Sequence, residues 1–184
     1  MKWNFSILPA CLGLFLLQLA VPAWMIGHRE ATLRLGKVFK FETAPVDPAD
    51  AFRGRYVSLA VRESSAREIS PGTSVKPGET VYVTLQPGPD GNARLGILSR
   101  ERPAEGDYIR AKAGCDKTAV VLPLDRFYMN EKMAPRAEQA YRENSRTANH
   151  NAHIRVRVRH GDAVIEDLVL DGKPIREYLK AAAK

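Results

Sequence analysis

The chain predicts a mainly β protein: an N-terminal transmembrane helix followed by an antiparallel β sandwich or barrel-like domain with one helix. Three observations carry that expectation. The stretch from Trp3 to Ile26 is apolar apart from Asn4, Ser6 and Gln18, and it holds no charge. Beyond Gly27, short runs of alternating apolar and polar residues recur between turns rich in Gly and Pro, as strands with one wet face do. Only Ala134 to Ser145 shifts to helical spacing.

A bilayer core of about 30 Å needs ~20 apolar residues as helix, and the first run is long enough. Trp3 and Trp24 stand near its two ends, where amphipathic rings favour the membrane–water boundary. Pro9 and Pro22 are also near the ends, where missing backbone hydrogen bonds cost least. A secretory signal is the competing assignment. Lys2 supplies a basic start, and Val21-Pro22-Ala23 offers small residues at a cleavage point. However, the apolar run continues through Trp24, Met25 and Ile26, and it exceeds a signal core of about 7–15 residues. Leu8-Pro9-Ala10-Cys11 lacks the preceding apolar core of a lipoprotein box. The expectation is an uncleaved anchor at residues 1–27 and one domain at 28–184. Arg29, Arg34, Lys37 and Lys40 follow the span and would favour a cytoplasmic domain under the positive-inside rule. That rule weakens for long translocated domains, and a short tail before a single span resembles a signal anchor. The domain is therefore expected outside the cytoplasm, on a single-pass protein of the bacterial inner-membrane kind.

After the anchor, Glu30 to Leu35 continues the helix until Gly36 releases it. Lys37 to Thr43 is a first strand. In the connector Ala44 to Gly54, Asp47 can cap a short turn with Pro48 at its first helical position. Arg55 to Glu63 is a second strand, with Tyr56, Ser58 and Ala60 on one face and Val57, Leu59 and Val61 on the other. Ile69 to Glu79 is a loop punctuated by Pro71-Gly72 and Pro77-Gly78. Thr80 to Gln86 and Ala93 to Ser99 form a hairpin about the turn Pro87 to Asn92. Shorter strands follow near Tyr108–Lys112 and Thr118–Leu124. In the helix, Met133, Ala137, Ala140 and Tyr141 gather on one face.

The C-terminal hairpin is the clearest local pattern. Ile154, Val156 and Val158 alternate with Arg155, Arg157 and Arg159. His160-Gly161-Asp162 makes the turn, and Val164 to Leu170 returns. Asp171-Gly172-Lys173 is a further turn, and Pro174 to Lys180 is a short helix or tail.

Of 28 basic and 21 acidic residues, only Lys2 precedes the soluble part, which therefore keeps a modest positive excess. That excess suits solubility first and anionic surfaces second. Cys11 falls in the anchor and Cys115 stands alone, so no disulfide can form within the domain. Cys115 is expected to be a small buried residue at a strand end.

The stretch Gly54-Arg55-Tyr56-Val57-Ser58-Leu59-Ala60-Val61 resembles the signature of the membrane-anchored family named for its Gly-Asp-Tyr-x-x-Leu-x-Tyr motif, GDYXXLXY. Gly54, Tyr56 and Leu59 match; Arg55 stands in place of the acid and Val61 in place of the final tyrosine. Upstream Asp47 and Pro48, downstream Arg126-Phe127-Tyr128-Met129-Asn130-Glu131 and terminal Asp171-Gly172-Lys173-Pro174-Ile175 are also similar to the family pattern. The resemblance implies one N-terminal span, a β-rich domain and the company of a polytopic membrane protein. It brings no known reaction. Gly106-Asp107-Tyr108 repeats the opening letters of the motif by coincidence, because no leucine follows in register.

Arg53, Tyr56, Phe127, Tyr128 and Glu131 are the candidates for ligand or partner binding. Arg53 and Tyr56 can present a guanidinium and a phenol to an anion, although Gly54 also permits a bend and Tyr56 can fill a core. Phe127 and Tyr128 with Glu131 can line a pocket or close the core against the next helix. The basic stripe Arg155, Arg157 and Arg159 can bind phosphate, but pairing with acids such as Glu166 is the simpler role. His150, His153 and His160 lack the ligand spacing of a metal site. Walker, dinucleotide, zinc-protease and nucleophile-elbow patterns are missing from the sequence. The expected function is a non-catalytic binding or assembly module, with no cofactor, metal or nucleic acid. The alternative is a membrane-tethered hydrolase using Ser58 and Lys112.

Overall fold

The computed structural model describes residues 7–44, 56–146 and 152–181. From Ile7 onward the apolar run lies in helix α1 (Ile7–Leu35). Within it, Cys11–Leu35 is long and apolar enough to cross a membrane, and its apolar side chains as far as Ile26 are exposed rather than packed in the domain. Pro22 therefore lies inside the helix rather than near its end, because helical spacing continues through the polar residues that follow Ile26.

Among the described residues, twelve strands and two more helices follow: β1 (Lys37–Ala44), β2 (Tyr56–Ser58), β3 (Ala60–Val61), β4 (Glu68–Ile69), β5 (Thr80–Pro87), β6 (Ala93–Ser99), β7 (Tyr108–Ala113), β8 (Val120–Val121), β9 (Arg126–Tyr128), α2 (Ala134–Arg146), β10 (Ala152–Arg159), β11 (Asp162–Leu170), β12 (Lys173–Pro174) and α3 (Ile175–Ala181). One sheet runs β12-β11-β10-β1-β3, a second runs β4-β6-β5-β7-β8, and β2 pairs with β9 as a separate ribbon. The fold is mainly β, as the alternating pattern predicts. It departs from purely antiparallel pairing where β4 runs parallel to β6 and where an isolated parallel bridge joins Ile109 to Gly161. The expected second strand is divided: β2 pairs with β9, and β3 pairs with β1. The domain carries two helices, because the segment after Pro174 folds as α3.

All three sheets contribute to one core. Phe41, Ile154, Leu168, Leu170 and Ile175 come from the first sheet and α3; Val81, Val83, Leu95, Leu98 and Ile109 come from the second; Val57 and Phe127 come from the ribbon. Burying each such side chain contributes about 1.5–3 kcal/mol. Helix α2 adds Ala137, Ala140 and Tyr141 to the core, with Met133 packed against it. The Tyr141 hydroxyl donates to the Ala44 carbonyl at 2.7 Å, fastening α2 to the end of β1.

Two of the three arginines in the basic stripe of β10 are neutralised by the neighbouring strand. Arg157 lies 2.9 Å from Glu166 and Arg155 3.5 Å from Asp167. Consecutive strand residues ordinarily face opposite sides. Here a bulge beside Arg155 and Val156 leaves Glu166 as the extra residue, which lets both acids serve one row of arginines. Arg157 holds the Glu166 carboxyl below the usual range, whereas burial pushes Asp167 upward.

Candidate functional site

The β2–β9 ribbon is three residues wide: Tyr56 faces Tyr128, Val57 faces Phe127, and Ser58 faces Arg126. Alternation divides it cleanly. Val57 and Phe127 are buried, while the outward face carries Tyr56, Ser58, Arg126 and Tyr128. The Tyr56 and Tyr128 rings lie 5.8 Å apart with a 60° tilt, a favourable aromatic geometry. The Arg126 guanidinium sits 5.3 Å from the Tyr56 ring centre, within cation–π range, and its Nε lies 3.2 Å from Asp125. Tyr128, then Asp125 and Tyr56, raise the arginine's pKa still further, so it is a fixed cation. Tyr128 remains 63% exposed.

The ribbon is pinned at both ends. Beyond Ser58, the Leu59 amide donates to the Asp125 carbonyl at 2.9 Å, and the Leu59 side chain enters the core. Beyond Tyr128, Asn130 turns the chain into α2. Its carbonyl accepts from the Met133 and Ala134 amides, and its side-chain oxygen accepts from the Lys132 amide.

Of the expected site residues, the structure brings Tyr56 and Tyr128 together on the surface. Phe127 turns inward and supports them. Glu131 is exposed in the turn between β9 and α2. Arg53, with the motif-matched Asp47, Pro48 and Gly54, lies outside the described residues. Arg126 is the residue of this outward face that sequence reasoning did not single out. Its signal was the alternation around Phe127, which places residues 126 and 128 on one face.

The other candidates separate. Ser58 belongs to the ribbon, whereas Lys112 on β7 donates to Thr80 at 2.9 Å on the neighbouring strand. No hydrogen bond joins Ser58 and Lys112 among the described residues, and the two lie in different sheets. Cys115 is exposed rather than buried, because the chain leaves the sheet after Ala113 and turns back where Gly114 donates to Ala119. His153 is half-buried on β10; burial, Lys40 and Arg155 push its pKa down to about 4. His150 lies outside the described residues, and His160 is exposed at the hairpin turn.

A second cluster joins α1 to the domain, and sequence reasoning did not foresee it. His28 Nε2 lies 2.7 Å from Asp162 Oδ2, and Arg110 Nη2 lies 2.6 Å from Asp162 Oδ1. The Trp24 and His28 rings stack 5.5 Å apart. Lys37 pairs with Asp107 at 2.5 Å. Deeper in the joint, Thr32 is 1% exposed, and the Gly36 carbonyl accepts from Arg157 at 3.2 Å. A Cβ at Gly36 would fall 2.4 Å from the Thr32 carbonyl oxygen and 3.1 Å from the Arg157 Cβ, so this close approach requires glycine.

These features define a class: a β-rich domain built directly onto one helix that is long and apolar enough to cross a membrane. The chain belongs to the GDYXXLXY protein family, whose model matches residues 18–168. Comparison with curated proteins and with solved structures gives no match. Within the family signature, Tyr56 lies on the exposed ribbon face and Leu59 in the core beneath it.

Proposed function

We propose that this chain is a non-catalytic binding or assembly module, held in the membrane by residues 1–27 with residues 28–184 outside the cytoplasm. Its ribbon face docks a polytopic membrane protein in the same bilayer. One observation carries the proposal: two tyrosines and a charged arginine share a surface whose rear is locked into the core by Val57 and Phe127. Tyrosine and arginine are the side chains that dominate protein-binding hot spots. A rigid backing lowers the conformational entropy lost when they dock. The tether supports a partner in the same membrane, because both molecules are then confined to one surface and their effective concentration is high.

The test is photocrosslinking in native membranes, with a photoreactive residue at Tyr128 and a control at Lys173 on the exposed terminal turn. The expected result is a crosslink to a polytopic protein from position 128 alone, abolished by Arg126→Ala together with Tyr56→Ala. Equal labelling from both positions, or none from 128, refutes the docking face. Labelling of the intact chain by a membrane-impermeant reagent at Cys115 in sealed cells checks the orientation.

A further inference from the structure

We infer that the tip of the β10–β11 hairpin is a second membrane-contact surface, lying in the phospholipid headgroup layer and engaging anionic lipid phosphates through Arg29 and Arg159. The inference rests on the anchor proposed above and extends it from the helix to the domain itself.

The hairpin runs back along α1 towards the apolar segment. Near the helix end, Gly36 touches Arg157; eight residues earlier, His28 meets Asp162 at the start of the returning strand. Eight helical residues span ~12 Å; the strand advances about 7 Å of this from Arg157 to Arg159, the residue opposite Asp162, and the His28 and Asp162 side chains reach across the rest. His28 stands two residues beyond Ile26, the last residue of the apolar run, or ~3 Å further along the axis. The headgroup region adds roughly 5–8 Å to each side of the hydrocarbon core. A tilt of about 20° shortens heights along the axis by less than a tenth and moves a group ~10 Å off the axis up or down by about 3 Å, which leaves the turn within that layer. Asp162 and the turn beside it therefore sit within headgroup depth.

The turn is held at this level. His160 and Gly161 have φ values of 50° and 88°, the backbone pattern of a tight hairpin turn. A Cβ at Gly161 would meet the Tyr108 ring at 2.7 Å. The Gly161 carbonyl accepts from the Arg110 amide at 2.8 Å, which ties the tip to β7.

The charge at this end is suited to anionic phosphate. Glu30 pairs with Arg34, Asp107 with Lys37 and Asp162 with Arg110. Arg29 and Arg159 have no ion-pair partner among the described residues and add two uncompensated cations beside the bilayer. Guanidinium groups form paired hydrogen bonds with phosphate oxygens. A basic residue at an anionic membrane surface contributes about 1 kcal/mol.

Depth measurement on the full chain tests the inference. Cys11→Ser and Cys115→Ser clear the background, and a nitroxide is attached at His160→Cys. Arg159→Cys serves as a second site that spares the left-handed turn. Lys173→Cys is the control, about 25 Å away along the returning strand at ~3.3 Å per residue. The protein is reconstituted in phosphatidylcholine vesicles with and without phosphatidylglycerol, each containing a nickel-chelating lipid. The expected relaxation enhancement is several-fold greater at 160 than at 173. It rises further with phosphatidylglycerol, and Arg29→Gln with Arg159→Gln removes that rise in the His160-labelled chain. Equal enhancement at 160 and 173, in a chain that resists alkaline extraction, overturns the headgroup contact and leaves the anchor standing. Release of the chain by alkaline extraction overturns the anchor, and the contact with it. Lipid-independent perturbation of the label by inorganic phosphate in detergent overturns the assignment to lipid.

Discussion

The joint between α1 and the domain and the β2–β9 ribbon both bring aromatic and charged side chains together, but they satisfy them differently. At the joint, His28 and Arg110 share the two oxygens of Asp162, Lys37 takes Asp107, and Gly36 admits Arg157. On the ribbon, Arg126 and the two tyrosines interact with one another and remain turned to solvent. Ion pairs at a protein's surface contribute little stability individually, so the joint depends on close backbone packing as much as on charge. The ribbon's outward side chains can be removed without opening the core. The contrast separates residues that hold the molecule's shape from residues available to another molecule.

The largest effect should come from breaking the joint where it is tightest. Gly36→Val should destabilise the fold by about 2–3 kcal/mol through overpacking, lowering the thermal midpoint in detergent micelles. An unchanged midpoint would mean that the helix end is free of the sheet. Tyr141→Phe removes a buried donor to the Ala44 carbonyl and should cost ~1–2 kcal/mol, read from chemical denaturation. Wild-type stability would show that water replaces that bond.

Lowering the pH sharpens the contrast on the sheet side. His153 has a folded pKa of about 4, below the ordinary 6.5, so the unfolded chain takes up its proton first. Its contribution is complete above pH ~6.5 and is lost as pH falls towards 4, amounting to about 1 kcal/mol after allowance for partial exposure. Comparing His153→Gln with the wild type across that window isolates the effect; parallel stability curves would contradict it. The smallest change is expected at the ribbon. Tyr128→Ala should shift stability by less than about 0.5 kcal/mol while removing the position-specific partner contact. A large drop in stability would place Tyr128 with the structural residues instead.

Much of this division was legible in the sequence, for reasons that differ by region. The β10 stripe was clear because its three arginines and three aliphatics alternate without interruption, and pairing with Glu166 followed from the hairpin. The bulge that recruits Asp167 was not visible, since a single extra residue in the returning strand leaves its composition unchanged. The second strand looked continuous because Leu59 keeps the alternation; only the tertiary fold shows that the chain changes sheets there. Tyr56 and Tyr128 were each singled out, but their adjacency spans 72 residues of sequence and depends on a pairing that neither segment encodes alone. The His28–Asp162–Arg110 cluster was hidden by a longer separation still, because each residue sits in an ordinary local context.

The unbroken passage from the apolar segment into Thr32 and Gly36 also fixes azimuth. A domain on a loose linker could swivel and offer any side to its surroundings. Here, turning the helix about its own axis turns the tyrosine ledge through the same angle, so the ledge keeps one bearing relative to the helix. Under the docking proposed above, a neighbour would meet the ledge from one side of the helix only.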